Sequence, residues 1–141
     1  MPPPTTAVSP AAAAVAAAPA RQLAEAFVED LRSGRVDAAY ARMETTYRAE
    51  APIQALKNGL NAMMDYYGTP SAYVYKAQEE GRRRYPDGGE KPQRKVWFAT
   101  PTPKHAAGVF AYVQVVPEGD HLAVATFSLL SFPEEPPEML R

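Results

Sequence analysis

The pattern of apolar residues changes midway along the chain, and this change limits the possible folds more than any other feature. In the first half, apolar residues recur every three or four positions, as on one face of a helix. In the second half, β-branched and aromatic residues form short runs bounded by Gly and Pro. Helices collected before strands, without alternation of the two, are typical of an α+β fold. The sequence therefore predicts three N-terminal helices packed on one face of a curved four-stranded antiparallel sheet.

The boundaries of these elements follow from local signals. Gly34 and Gly68 fit helix ends, and Pro52 fits the first position of a helix. The segment 86–89 combines Pro, Asp and Gly, and the segment 118–120 combines Gly and Asp, as tight turns require. The predicted helices cover residues 21–33, 36–46 and 52–67, and the predicted strands are centred on 73–75, 96–98, 109–116 and 122–132.

Composition excludes several classes of protein. The chain has 141 residues, 46% of them hydrophobic, enough to bury one core and inconsistent with wholesale disorder. It has no cysteine, which excludes disulfides, thiolate nucleophiles and cysteine-ligated metals. The longest apolar run, residues 11–18, falls well short of the ~20 residues that span a bilayer, so no membrane span is predicted.

Both ends of the chain are rich in proline. Residues 1–20 combine Pro with Ala and Thr, and we interpret them as an extended, disordered tail or linker. Residues 133–141 are predicted to form a short acidic tail, which leaves 21–132 as the folded domain. The motif Ala18-Pro19-Ala20 has the small-x-small form of a signal-peptidase site but lacks a basic region upstream. Localisation stays open: cytoplasmic, or periplasmic or envelope-associated if an upstream signal or lipid anchor was removed.

The first helical hairpin resembles a known superfamily. The run LAEAFV at residues 23–28, followed by Leu31 and by SGRVDAAY at 33–40, is similar to the start of many small bacterial members of the nuclear transport factor 2-like superfamily. The resemblance covers residues 21–132. It implies a cystatin-like cone, in which a bent sheet wraps around helices, and it implies that sheet-mediated homodimers are common.

The same resemblance suggests where a site would lie. The cone's open end often forms a pocket, and enzymes of the superfamily set a carboxylate or histidine against tyrosines there. By this resemblance Asp65 and His121 are the candidate catalytic groups. The candidate pocket residues are Tyr40, Met64, Tyr67, Trp97, Tyr112 and Phe127, whose alternative role is sheet core or dimer face.

Other chemistry finds little support in the sequence. The chain has only two histidines, His105 and His121, so a histidine metal site would need carboxylate ligands from elsewhere in the chain. We therefore expect no metal. Motifs for nucleotide binding, nucleophilic serine and zinc-dependent hydrolysis are absent, and we expect no cofactor.

The strongest charge feature lies around the first predicted β-hairpin. Residues 76–104 contain eight Lys/Arg and four Asp/Glu, whereas residues 105–141 contain one and five. The hairpin could protect a sheet edge, dock an acidic protein or, less favoured, bind nucleic acid. The net charge of −1 gives no global attraction to nucleic acid. This basic patch comprises Arg82, Arg83, Arg84, Lys91, Arg94 and Lys95.

These observations favour a non-catalytic binding or assembly module, expected to be homodimeric. It would recognise a protein or a small apolar ligand through its concave pocket or sheet face. The alternative is a pocket enzyme of the isomerase or dehydratase type that uses Asp65 or His121 with a tyrosine.

Overall fold

A computed structural model describes residues 15–104, 108–132 and 134–141. Four helices are followed by an antiparallel sheet with strand order β1-β2-β3-β4, which confirms the predicted α+β class. His105, residues 1–14 and Pro133 lie outside the described residues. The elements are α1 (Ala17–Arg32), α2 (Val36–Ala41), α3 (Thr45–Glu50), α4 (Ile53–Tyr67), β1 (Val74–Arg84), β2 (Glu90–Ala99), β3 (Val109–Glu118), β4 (His121–Ser131) and a C-terminal 3-10 helix (Glu138–Leu140).

Helices α1 and α4 end where a glycine supplies a positive φ. Gly34 follows α1 with φ of 78°, and Gly68 follows α4 with φ of 94°. A Cβ at Gly68 would also lie 2.9 Å from Oγ1 of Thr102, so this position needs glycine for space as well. Both helix ends were predicted from the sequence, and both are confirmed.

Two helix boundaries differ from the prediction. Helix α1 begins at Ala17, so the last residues of the predicted 1–20 tail are helical, and Val15 and Ala20 are buried. The segment Thr45–Glu50 forms a separate helix, giving four helices rather than three. This helix has no buried residue, so it carries none of the apolar periodicity that reveals a helix in a sequence.

The main core lies between the helices and one face of the sheet. The rings of Phe27 on α1 and Phe127 on β4 meet with centroids 5.8 Å apart. Phe98 is 1% exposed, and Tyr73 packs against it edge-on. Register shifts at Tyr75/Ala77 and Gln114/Val115 mark the positions where such a sheet bends. The space between the helices and this face of the sheet is thus filled by the protein's own side chains.

The other face of the sheet carries a second apolar cluster. We call this surface the outer face; it comprises Ala77, Trp97, Ala99, Phe110, Tyr112, Leu130 and Phe132. Residues 134–141, which we call the C-terminal strap, fold back onto it and bury Leu140 to 2% exposure. The predicted acidic tail is therefore partly structured. Leu140 lies only three residues after two consecutive prolines, which obscured its role in the sequence.

Within the described residues, no helix is long and apolar enough to cross a membrane.

Candidate functional site

An open groove of about 370 Å³ lies between α3, α4 and the edge strand β4. Most of its wall is apolar, supplied by α4 on one side and by the middle of β4 on the other. Ala55, Gly59 and Met63 follow one another at four-residue intervals, so α4 presents them on one face. The lining residues are Met43, Tyr47, Ala55, Leu56, Gly59, Leu60, Met63, Arg83, Ala125, Thr126 and Phe127. We call this the α4–β4 groove.

The backbone of β4 explains why the groove exists. Within the described residues, the outer edge of β4 is bridged near its start, where Met43 pairs in parallel with Val124. Further along the strand, the N–H of Leu129 donates to Sδ of Met63 at 3.4 Å. A side chain of α4 thus meets an edge N–H of β4, and the groove occupies the space between helix and edge.

A buried polar cluster closes one end of the groove. Glu44 is 2% exposed, and its Oε1 lies 3.6 Å from Nε of Arg83. Nη1 of Arg83 donates to Oγ1 of Thr126 at 3.1 Å and to Oε1 of Gln114 at 3.3 Å. The hydroxyl of Tyr85 donates to Oε2 of Glu44 at 3.0 Å. Burial, followed by this hydrogen bond to Glu44, raises the pKa of Tyr85 to about 12.

The groove presents few ionisable groups to a ligand. Among its lining residues, the ionisable side chains are Arg83, which is a permanent cation, and Tyr47. Burial, and to a lesser extent Tyr40, raises the pKa of Tyr47 above its usual value of 10. The raised pKa keeps Tyr47 neutral near neutral pH, so its hydroxyl does not serve as a general base there.

The two candidate catalytic residues lie outside this groove. Asp65 is exposed on α4, and its backbone carbonyl accepts a hydrogen bond from Nζ of Lys104. The side chain of His121 is 63% exposed, and its ring nitrogens lie 3.4 Å from Asp120 and 3.6 Å from Glu118. Neither residue has the buried, apolar surroundings that would tune a catalytic group.

The six candidate pocket residues do not form one pocket. Phe127 lines the α4–β4 groove, whereas Met64 lines a separate depression on another side of α4. Trp97 and Tyr112 belong to the outer face, because neighbouring residues of a strand point to opposite sides of the sheet. Tyr40 and Tyr67 pack against the main core. The hydroxyl of Tyr40 donates to the carbonyl of Ala51 at 2.7 Å and holds the end of α3.

The six basic residues of the first hairpin do not form one cationic surface either. Arg82 and Arg84 both pair with Glu90, at 3.2 and 3.0 Å. Successive side chains of a strand point to opposite faces of the sheet, so the six residues are divided between the two faces. Neighbouring carboxylates neutralise much of their charge. The remaining partners are Glu44 for Arg83, the ring of Tyr85 for Lys91, the carbonyl of Val15 for Arg94 and the ring of Tyr112 for Lys95.

Sequence reasoning missed most of the groove. Gly59 was the one available signal, because a glycine inside a helical repeat often marks a packing or binding requirement. Here a Cβ on Gly59 would meet no atom within 4 Å, so the position faces open space. Glu44 and Tyr85 gave no signal, because they lie 41 residues apart and meet only in the folded chain.

Other features of the molecule are less suited to a ligand. A wider depression beside α1 is rimmed by the exposed ion pair of Glu29 and Arg32 at 2.6 Å. Among the residues that the structure describes, no group of three or more His, Asp or Glu side chains could hold a metal ion.

The fold and the groove define an α+β protein with a largely apolar, ligand-sized groove at a sheet edge. Comparisons with protein-family models, with curated proteins and with solved structures found no match to this chain.

Proposed function

We propose that the protein is a non-catalytic binding module that takes a small, mostly apolar ligand in the α4–β4 groove. The observation that carries the proposal is the groove itself: about 370 Å³, walled by Leu56, Leu60, Met63 and Phe127, with polar groups confined to one end. This volume and this balance of apolar walls with few polar groups are characteristic of small-molecule sites. A ligand's polar end would face Arg83.

The enzyme alternative draws less support from the geometry. It requires Asp65 or His121 to face a tyrosine across a pocket, and both side chains are exposed outside the groove. Membership of the nuclear transport factor 2-like superfamily, the homodimer and an acidic protein partner stay predictions. The neutralising contacts of the hairpin arginines weaken the electrostatic case for the acidic partner.

Gly59→Leu tests the groove directly. The added side chain enters open space and fills the groove from the helix, so we expect binding of the neutral fluorescent probe N-phenyl-1-naphthylamine to weaken at least about tenfold. The same change replaces a helix-interior glycine and should raise the free energy of unfolding by about 0.5–1 kcal/mol. Loss of binding together with a gain in stability cannot be attributed to misfolding.

Ala62→Leu is the matched control, because it adds the same side chain to an exposed position of α4 that does not line the groove. It should leave probe binding unchanged. Failure of the wild-type protein to bind the probe, or equal binding by the Gly59→Leu variant, would show that the groove is not a ligand site.

A further inference from the structure

The outer face is an aromatic surface on the side of the sheet away from the helices. The ring of Trp97 lies 5.3 Å from that of Tyr112 and 6.3 Å from that of Phe132, centroid to centroid. Phe132 also meets Phe110 at 5.7 Å. Tyr112, Leu130 and Phe132 are only partly buried. A contiguous apolar surface of this kind marks an interaction site in many soluble proteins.

The strap attaches to this surface through one side chain. Leu140 is 2% exposed and packs in the same cluster as Trp97 and Phe110, whereas its neighbour Met139 is 37% exposed. Within the strap, the N–H of Leu140 donates to the carbonyl of Pro137, and Arg141 contacts the carbonyl of Pro136 and the carboxylate of Glu135. The strap is therefore a self-contained turn that docks by inserting a leucine.

We propose that the outer face is a peptide-docking surface that the strap occupies in the resting chain. The partner of the outer face is a protein segment that resembles the strap: it is short, acidic and proline-containing, and a leucine anchors it. The observed position of Leu140 establishes the fit, and the strap itself, with three glutamates and one arginine, defines the chemistry of the segment that the face accepts.

Only one side chain of the strap, Leu140, is buried, so a partner has few buried contacts to replace. The short link from the end of β4 raises the local concentration of the strap near the face, and this sets the affinity that a partner must exceed. A partner segment that buried more of the half-buried Tyr112 or Leu130 than the strap does would gain additional apolar contact. The surface is separate from the α4–β4 groove, so this inference does not rest on the proposed function.

The fluorescence emission of Trp97 reports on the site, because Trp97 is the single tryptophan of the chain and packs in the same cluster as Leu140. In the full-length Leu140→Asp variant the leucine side chain no longer covers the outer face, and we expect the tryptophan emission of this variant to shift to the red. Titration with the synthetic peptide EEPPEMLR, the sequence of residues 134–141, should restore the blue emission in a saturable manner. The wild-type chain, whose own strap competes, should bind the peptide at least about tenfold more weakly.

Met139→Asp is the matched control, since it places the same charge one residue away on an exposed side chain. Its emission and its peptide affinity should equal those of the wild type. A peptide carrying the Leu140→Asp change should not bind to any variant. If the Leu140→Asp chain proves unfolded by circular dichroism, Leu140→Ala replaces it in the same titrations.

Three outcomes would overturn the proposal. One is no saturable binding of EEPPEMLR to a folded Leu140 variant at millimolar concentration. A second is equal binding to the Leu140 and Met139 variants, which would place the peptide elsewhere. The third is self-association of the folded Leu140 variant in the absence of peptide, measured by analytical ultracentrifugation, which would identify a second copy as the occupant of the face.

Discussion

Glu44 is almost fully buried, yet it lies at the end of a groove rather than in the core. Its carboxylate is satisfied by groups from another part of the chain, with Tyr85 donating at 3.0 Å and Arg83 lying 3.6 Å away. Arg83 in turn holds Thr126 of β4 and Gln114 of β3. This cluster joins the far end of β1 to the opposite edge of the sheet, so its loss should affect both stability and the shape of the groove.

Arg83→Met should lower the free energy of unfolding by about 2–4 kcal/mol at pH 7. The variant leaves the Glu44 carboxylate buried without its cation, and an uncompensated buried charge is expensive. Urea denaturation measures the change. Combining Arg83→Met with Glu44→Gln should recover part of the loss, because the second change removes the stranded charge.

The neighbouring residue supplies the control. Arg82 pairs with Glu90, but both side chains are exposed, at 59% and 37%, and such surface pairs contribute about 0–1 kcal/mol. If Arg82→Met destabilised the protein as much as Arg83→Met, burial of the ion pair would not explain the effect.

At the scale of elements, α3 depends on a residue that lies far away in the sequence. Glu118, at the end of β3, accepts hydrogen bonds from the backbone N–H of Thr45 at 2.7 Å and from its hydroxyl at 2.8 Å. Partial burial opposes ionisation of Glu118, but the hydrogen bonds from Thr45 outweigh it and hold the pKa below its usual value of 4.5. The turn between β3 and β4 therefore caps the first turn of a six-residue helix.

Glu118→Gln should lower the free energy of unfolding by about 1 kcal/mol at pH 7, as the loss of a charged helix cap does. Because the folded-state pKa is lowered, the wild-type carboxylate contributes its full stabilisation above about pH 4.5 and loses it as the pH falls below that value. The difference between the two proteins, measured by urea denaturation from pH 7 to pH 3, should therefore shrink toward zero.

Asp120→Asn is the control for this pH dependence, because Asp120 lies in the same turn with its side chain 96% exposed. It should change stability by less than about 0.5 kcal/mol at every pH. A constant difference between wild type and the Glu118→Gln variant across the pH range would argue against an ionised cap.

Elements stabilised by local contacts could be predicted from the sequence, and elements stabilised by distant residues could not. The turn between β1 and β2 was predictable because its chemistry is local: Gly88 supplies a φ of 92°, and Tyr85 N–H donates to the carbonyl of Gly89. Helix α3 was not predictable, because its cap lies 73 residues away and it buries no side chain. The groove likewise brings together Gly59 of α4 and Phe127 of β4, which both line it although they lie far apart in the sequence.

At the scale of the whole molecule, the folded unit extends further toward the N-terminus than the sequence suggested. Val15 is 5% exposed, and its carbonyl accepts a hydrogen bond from Nε of Arg94 at 2.8 Å. The carbonyl of Ala17 accepts another from Gln78 at 2.9 Å. Alanine and proline give this stretch the composition of a linker, but Val15 and Ala20 are buried in the main core.

A chain that begins at Arg21, the boundary predicted from composition, should therefore be less stable than the full chain by about 2 kcal/mol or more. It lacks the buried Val15, the buried Ala20 and the acceptors for Arg94 and Gln78. A chain that begins at Val15 retains all of these contacts and should exceed the stability of the Arg21 chain by the same amount. Urea denaturation of the three proteins compares them directly. Equal stability of the Arg21 chain and the full chain would mean that the contacts of Val15 and Ala17 with β1 and β2 add nothing to the fold.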